Sequence, residues 1–133
     1  MTDKELFEIA KKMTERSYAP FSKFHVGAAL LCKDGTVFTG CNVENSSYGA
    51  TICAERTAFV KAISEGYKDF DKIAIASDGG EAWPCGICRQ FMKEFCDDDF
   101  IIMTGVDADH IKSYTMPQIL PEGFRLNENG KQI

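Results

Sequence analysis

Histidine, tryptophan and basic clusters are what this sequence has least of. It holds two histidines, one tryptophan and four prolines in 133 residues. His25 and His110 stand alone, so no His-x-His pair of finger spacing exists to close a structural zinc site. Fifteen Lys and Arg against 20 Asp and Glu leave a formal net charge of −5, with no basic run that could track a phosphate backbone. That disfavours a nucleic acid polymer or an anionic membrane as partner. No stretch approaches the roughly 18 consecutive apolar residues of a membrane span. The opening MTDKELFEIAKKMTERS carries charge through every turn and does not read as an export leader, so the expected location is the cytoplasm. There is no internal repeat or low-complexity tract. What is present is a 44% hydrophobic, 11% aromatic composition, enough for a core. The length suits one domain, expected to span residues 1–133.

Six cysteines are an even number. Without an export signal they point to metal ligation or burial more than to disulfides. Cys32, Cys41 and Cys96 sit where small apolar residues would serve, and read as core or edge thiols. Cys53, Cys85 and Cys88 occupy special local sequence.

Residues 2–17 read as a helix, with Thr2 and Glu5 spaced as a capping box and Leu6, Ile9, Ala10 and Met13 on one face. Tyr18-Ala19-Pro20 stops it. An apolar run to Cys32, the turn signal Lys33-Asp34-Gly35 and a second run from Thr36 to Cys41 predict a hairpin. A helix over 53–64, a strand over 72–77, a helix over 85–95, a strand over 100–104 and a weaker strand over 111–115 complete the reading. Helices joining strands in the second half predict a three-layer α/β/α domain on a mixed sheet.

Pro84-Cys85-Gly86-Ile87-Cys88 sets two thiols on the first turn of a helix, where unpaired N–H groups favour thiolate. A C-x-x-C pair alone serves redox dithiols, zinc fingers and catalytic zinc sites alike. Upstream, Cys53-Ala54-Glu55 adds a third thiol followed by a carboxylate, again at a helix start. Three thiolates leave the fourth tetrahedral position for water, the catalytic arrangement, although a fourth thiolate from Cys41 would close it. Glu55, beside the metal without ligating it, is the candidate proton carrier for hydrolytic replacement of an amine. Three thiolates on Zn²⁺ give a net charge of −1, which weakens the metal as a Lewis acid. Arg56 donating to a thiolate sulfur would draw that charge off.

CAERTA at 53–58 and PCGICRQ at 84–90 resemble the two zinc motifs of cytidine deaminases, in the short homotetrameric form where cysteine replaces the histidine ligand. YAPFSKFHVGAAL at 18–30 and GCNVENSSYGA at 40–50 extend the resemblance, which runs from about residue 18 to 124. It implies the deaminase fold with a five-stranded mixed sheet, one zinc per subunit, and a small nucleoside substrate. Asn42 and Glu44 match the pair that holds the ribose hydroxyl, Phe24 the aromatic beside the pyrimidine, and Ala54 a main-chain contact to the base. Phe124 matches a phenylalanine that reaches a neighbouring subunit's pyrimidine, and Tyr48 lies in a subunit-contact segment, implying active sites shared between subunits. Two positions depart from the pattern. Trp83 stands where relatives more often carry a small or hydroxylated residue, and Ile87 replaces a commonly smaller one. Both bear on substrate breadth.

The implied reaction is hydrolytic deamination of cytidine and deoxycytidine to the uridines with release of ammonia, a salvage step. A nucleoside antibiotic such as blasticidin S is the nearest rival substrate. Polynucleotide editing, a non-catalytic zinc module and a disulfide oxidoreductase are more distant rivals.

Overall fold

The computed structural model describes residues 1–133. Helix α1 (Asp3–Met13) is followed by strands β1 (Val26–Cys32) and β2 (Val37–Cys41), helix α2 (Ala54–Ser64), strand β3 (Phe70–Ser77) and helix α3 (Gly86–Phe95). Strands β4 (Ile101–Gly105) and β5 (Ile111–Thr115) and the short helix α4 (Met116–Ile119) complete the chain.

The capping box forms as read: the Thr2 hydroxyl accepts from the Glu5 amide, and Glu5 accepts from the Thr2 amide. The α-helical part ends at Met13, earlier than residue 17, and Thr14–Arg16 tighten into a 3₁₀ turn. Strand β3 starts at Phe70, two residues earlier than its alternation suggested, because Phe70 pairs with Cys32 across an irregularity in β1. Helix α4 has no counterpart in the sequence reading. Its Thr115/Gln118 capping box and N-terminal proline were the available signals.

Five strands form one mixed sheet in the order β2-β1-β3-β4-β5. Strand β1 runs antiparallel to β2 and β3, β4 is parallel to β3 through the α3 crossover, and β5 returns antiparallel. Helix α1 covers one face: Leu6, Phe7 and Ala10 pack on Ala29, Leu31, Ala74 and Met103. Helices α2 and α3 cover the other, where Phe59 and Met92 meet Leu30, Ile73 and Ile102. All seven residues of β1 are buried, as a strand covered on both faces requires. Each large side chain so buried contributes roughly 1.5–3 kcal/mol. Phe59 adds edge-on contact with Phe70, ring centroids 5.0 Å apart.

Two glycines set how closely the helices approach. A Cβ on Gly27 would strike the Ala10 carbonyl of α1, and one on Gly40 would strike the Ala54 carbonyl of α2. The second contact matters for function, because Ala54 is the first residue of α2 and the residue before it is Cys53.

Candidate active site

Cys53 and Cys85 are the N-cap residues of α2 and α3, both in extended backbone. The sheet brings these two helix starts together. The Sγ atoms of Cys53, Cys85 and Cys88 all lie within 4.8 Å of one another, and Cys53 and Cys85 are 3.7 Å apart. Tetrahedral zinc with Zn–S bonds of about 2.3 Å sets its sulfurs roughly 3.8 Å apart, so the donor set fits the ion in both chemistry and spacing. Two helix N-termini aimed at one anionic cluster favour thiolate. The Cys88 amide, 3.5 Å from Cys85 Sγ, adds a donor.

The cluster has three members. Cys41 pairs with Gly27, whose missing Cβ points at Ala10 and Met13, and directly paired residues of an antiparallel ladder share a face. Cys41 therefore lies on the α1 side of the sheet, across from Cys53, and is not a fourth sulfur. Cys32 and Cys96 are buried, and burial pushes the Cys32 thiol up to about 11 and raises Cys96 as well, as expected of core thiols.

Electrostatics separates the three site thiols. Hydrogen bonding from Cys88, followed by the Arg56 guanidinium, brings Cys53 down to about 5. Cys88 is pushed in the opposite direction, because its thiol bonds to Cys53 and is buried. Arg56 Nη2 donates to Cys53 Sγ at 3.4 Å, the contact that charge relief at the metal requires. Its Nε is buried and finds no partner.

Glu55 sits in the first turn of α2 and is only 4% exposed, a rare environment for a carboxylate. Burial pushes it up to about 7, the range in which a proton can be both taken and given at neutral pH.

A cleft of about 230 Å³ opens beside the thiols. Larger hollows elsewhere, such as one of about 640 Å³ along α3, contain no thiol cluster, so size does not identify the site. The cleft wall includes Phe24, Val26, Asn42, Glu44, Ala54 and Glu55, together with Ala82, Trp83 and Cys85. Asn42 is held from two sides: its amide donates to the Phe24 carbonyl at 2.8 Å, and its side-chain oxygen accepts from the Val26 amide at 2.9 Å. Glu44 accepts from the amides of Phe21 and Ser22 and from the Ser22 hydroxyl, which hold its carboxyl below the usual carboxylate range.

Two expected residues lie elsewhere. Tyr48 is 79% exposed, touching Phe21 edge-on, and Phe124 is 45% exposed. Neither lines the cleft within one chain. Three residues that the sequence did not single out prove to hold the site's loop. The buried Ser77 hydroxyl donates to the Gly80 carbonyl, the buried Thr104 hydroxyl to the Ala82 carbonyl, and Arg89 Nε to the Pro84 carbonyl at 2.8 Å. Polar residues at core positions of strands β3 and β4 were the signal for the first two.

Comparison with known proteins agrees with this geometry. Residues 1–104 match the family model for the cytidine and deoxycytidylate deaminase zinc-binding region. A cytidine deaminase of Sporosarcina psychrophila is 46% identical over 126 residues, covering 93% of this chain and 92% of the relative. A blasticidin-S deaminase of Bacillus cereus is 31% identical, covering 94% of each. The crystal structure of a cytidine deaminase from Burkholderia pseudomallei superposes with a TM-score of 0.87 at 42% identity, covering 93% of this chain and all of that one. A matched family model over most of the chain, a shared fold and a three-sulfur cluster spaced for a metal ion have one reading: this chain belongs to the cytidine and deoxycytidylate deaminase zinc-binding family.

Proposed function

We propose that this enzyme hydrolyses cytidine and deoxycytidine to uridine and deoxyuridine with release of ammonia. The observation that carries the reading is a buried carboxylate, Glu55, in a cleft lined by Asn42, Glu44 and two of three convergent thiols, Cys53 and Cys85. Cys53, Cys85 and Cys88 would hold a zinc ion, which when bound would supply Lewis acidity and make a water more acidic. Arg56 keeps that acidity by drawing charge from Cys53.

Glu55 takes a proton from water as the oxygen bonds to C4 of the pyrimidine, and delivers it to ring N3. It then carries the second proton to the exocyclic amine, the C4–N bond breaks, and ammonia leaves. Water is consumed and the ring gains the carbonyl oxygen of uridine. Ala54, on the same first turn of α2, offers its main chain to the base edge. Phe24 packs on the ring. Glu44 accepts from the ribose hydroxyl, which selects a nucleoside over a free base, and Asn42 supports it. The small cleft and net charge of −5 suit a single nucleoside and not a polymer.

The working form in this reading is the homotetramer that the family resemblance implies, with Tyr48 and Phe124, which lie outside the cleft of their own chain, serving a neighbour's. Six free cysteines suit a reducing compartment such as the cytoplasm. The test is ammonia release with cytidine, deoxycytidine and blasticidin S in parallel. Cytidine turnover abolished by Glu55→Gln, with zinc retained, is the expected result. Retained turnover in Glu55→Gln, or turnover of blasticidin S alone, overturns the reading.

A further inference from the structure

We propose that the indole of Trp83 is the specificity-determining wall at the C5 edge of the pyrimidine, and that Tyr114 fixes it in place. The inference rests on the substrate reading above and adds to it a residue outside the metal and proton machinery.

Trp83 lines the same cleft as Glu55 and Cys85. Its backbone is clamped on both sides. The preceding carbonyl, of Ala82, accepts from the buried Thr104 hydroxyl, and the following one, of Pro84, accepts from Arg89 Nε. Its ring rests on Tyr114 of β5, centroids 5.0 Å apart and planes tilted by 49°. Tyr114 in turn sits opposite Ile102 of β4. An indole anchored at its backbone and at its ring is a fixed surface, even though 48% of it is exposed in the single chain.

The substrate reading sets the orientation of the base. Position C4 must face the thiols, and N1, across the ring, carries the sugar towards Asn42 and Glu44. With N3 facing Glu55 on α2, the opposite edge, carrying C5, faces away from α2. The loop between β3 and α3 contributes Ala82, Trp83 and Cys85 to the cleft, and Trp83 is the only large side chain among them, so the proposal sets this loop at the C5 edge. Hydrogen at C5 fits such a wall, and a methyl group meets it. One methylene-sized change in a fitted pocket is worth roughly 10–200-fold in kcat/KM.

The experiment compares kcat/KM for cytidine and 5-methylcytidine in the wild-type enzyme, Trp83→Ser, Tyr114→Phe and Tyr114→Ala. Trp83→Ser is expected to raise the ratio of 5-methylcytidine to cytidine at least about tenfold. Tyr114→Ala should move it the same way by less, since the ring loses its support, and Tyr114→Phe should not move it. A purely structural role would lower both substrates together and leave the ratio alone. An unchanged ratio in Trp83→Ser, in an enzyme whose wild type turns over cytidine, overturns the assignment. A wild type inactive on cytidine overturns the substrate reading itself, and the two failures are thereby distinct.

Discussion

Replacing Gly40 with alanine tests how the fold holds the metal centre. The added Cβ would collide with the Ala54 carbonyl and lie 2.6 Å from the Ala58 amide nitrogen. Ordinary contact begins at 3.4 Å, and both obstacles are backbone of α2, so relief requires the helix start to retreat by about 1 Å. Cys53 caps that start and moves with it. Metal–ligand distances tolerate only about 0.2 Å, so the sulfur leaves its place in the trio. Overpacking of this kind costs about 1–3 kcal/mol, a fall in Tm of roughly 4–11 °C for a chain of this size. The informative comparison is Gly27→Ala, which strikes the Ala10 carbonyl of α1 on the opposite face of the sheet. Both variants should lose stability, but only Gly40→Ala should lose zinc affinity, by at least roughly tenfold, in competition with a chromogenic chelator. Wild-type zinc affinity in Gly40→Ala, or equal losses in both variants, would refute the coupling of Gly40 to the metal through α2.

Other expectations follow from the same geometry. Arg56→Ala should lower kcat/KM by about 10–100-fold, the effect of losing a charged hydrogen bond to a ligand sulfur, and Arg56→Lys should restore little because an ammonium lacks the planar fork. Steady-state kinetics with measured zinc content checks this, and unchanged turnover at full zinc content would remove the role. With zinc chelated at pH 8, iodoacetamide should label exposed Cys85 well before buried Cys32 and Cys96. Their raised pKa values keep them as thiols at that pH, and mass spectrometry of the digest reads the order. If sites are shared, Glu55→Gln and Phe124→Ala subunits, each nearly inactive alone, should recover roughly a quarter of wild-type activity when refolded together one to one. No gain on mixing would confine Phe124 to its own chain.

Much of the fold was legible because its determinants are local. The capping box at Thr2, the apolar face of α1 and the Lys33-Asp34-Gly35 turn each depend on neighbours a few residues apart. The edges were less legible. The start of β3 depends on its pairing with β1, and α4 is too short to show a period. Within the site, C-x-x-C at the start of α3 and Cys-Ala-Glu at the start of α2 mark three candidate thiols and a carboxylate, while spacing alone leaves open whether Cys41 joins them.

The sequence by itself determined which chemistry was available: three thiols, one carboxylate and one guanidinium, each placed on a helix start by its own short motif. Tertiary structure decided whether they meet. Packing α2 and α3 on one face of the sheet closes Cys53 on Cys85 to 3.7 Å across 32 residues of chain, and the same packing removes Glu55 from water. Strand register, invisible in composition, turns Cys41 to the other face and leaves three sulfurs instead of four. Trp83 was visible as an oddity, but its meaning waited on Thr104, Arg89 and Tyr114, which reach it from other elements. The physical reason is range: dihedral preference and side-chain periodicity act along the chain, whereas desolvation, register and close approach act between segments that only folding brings together.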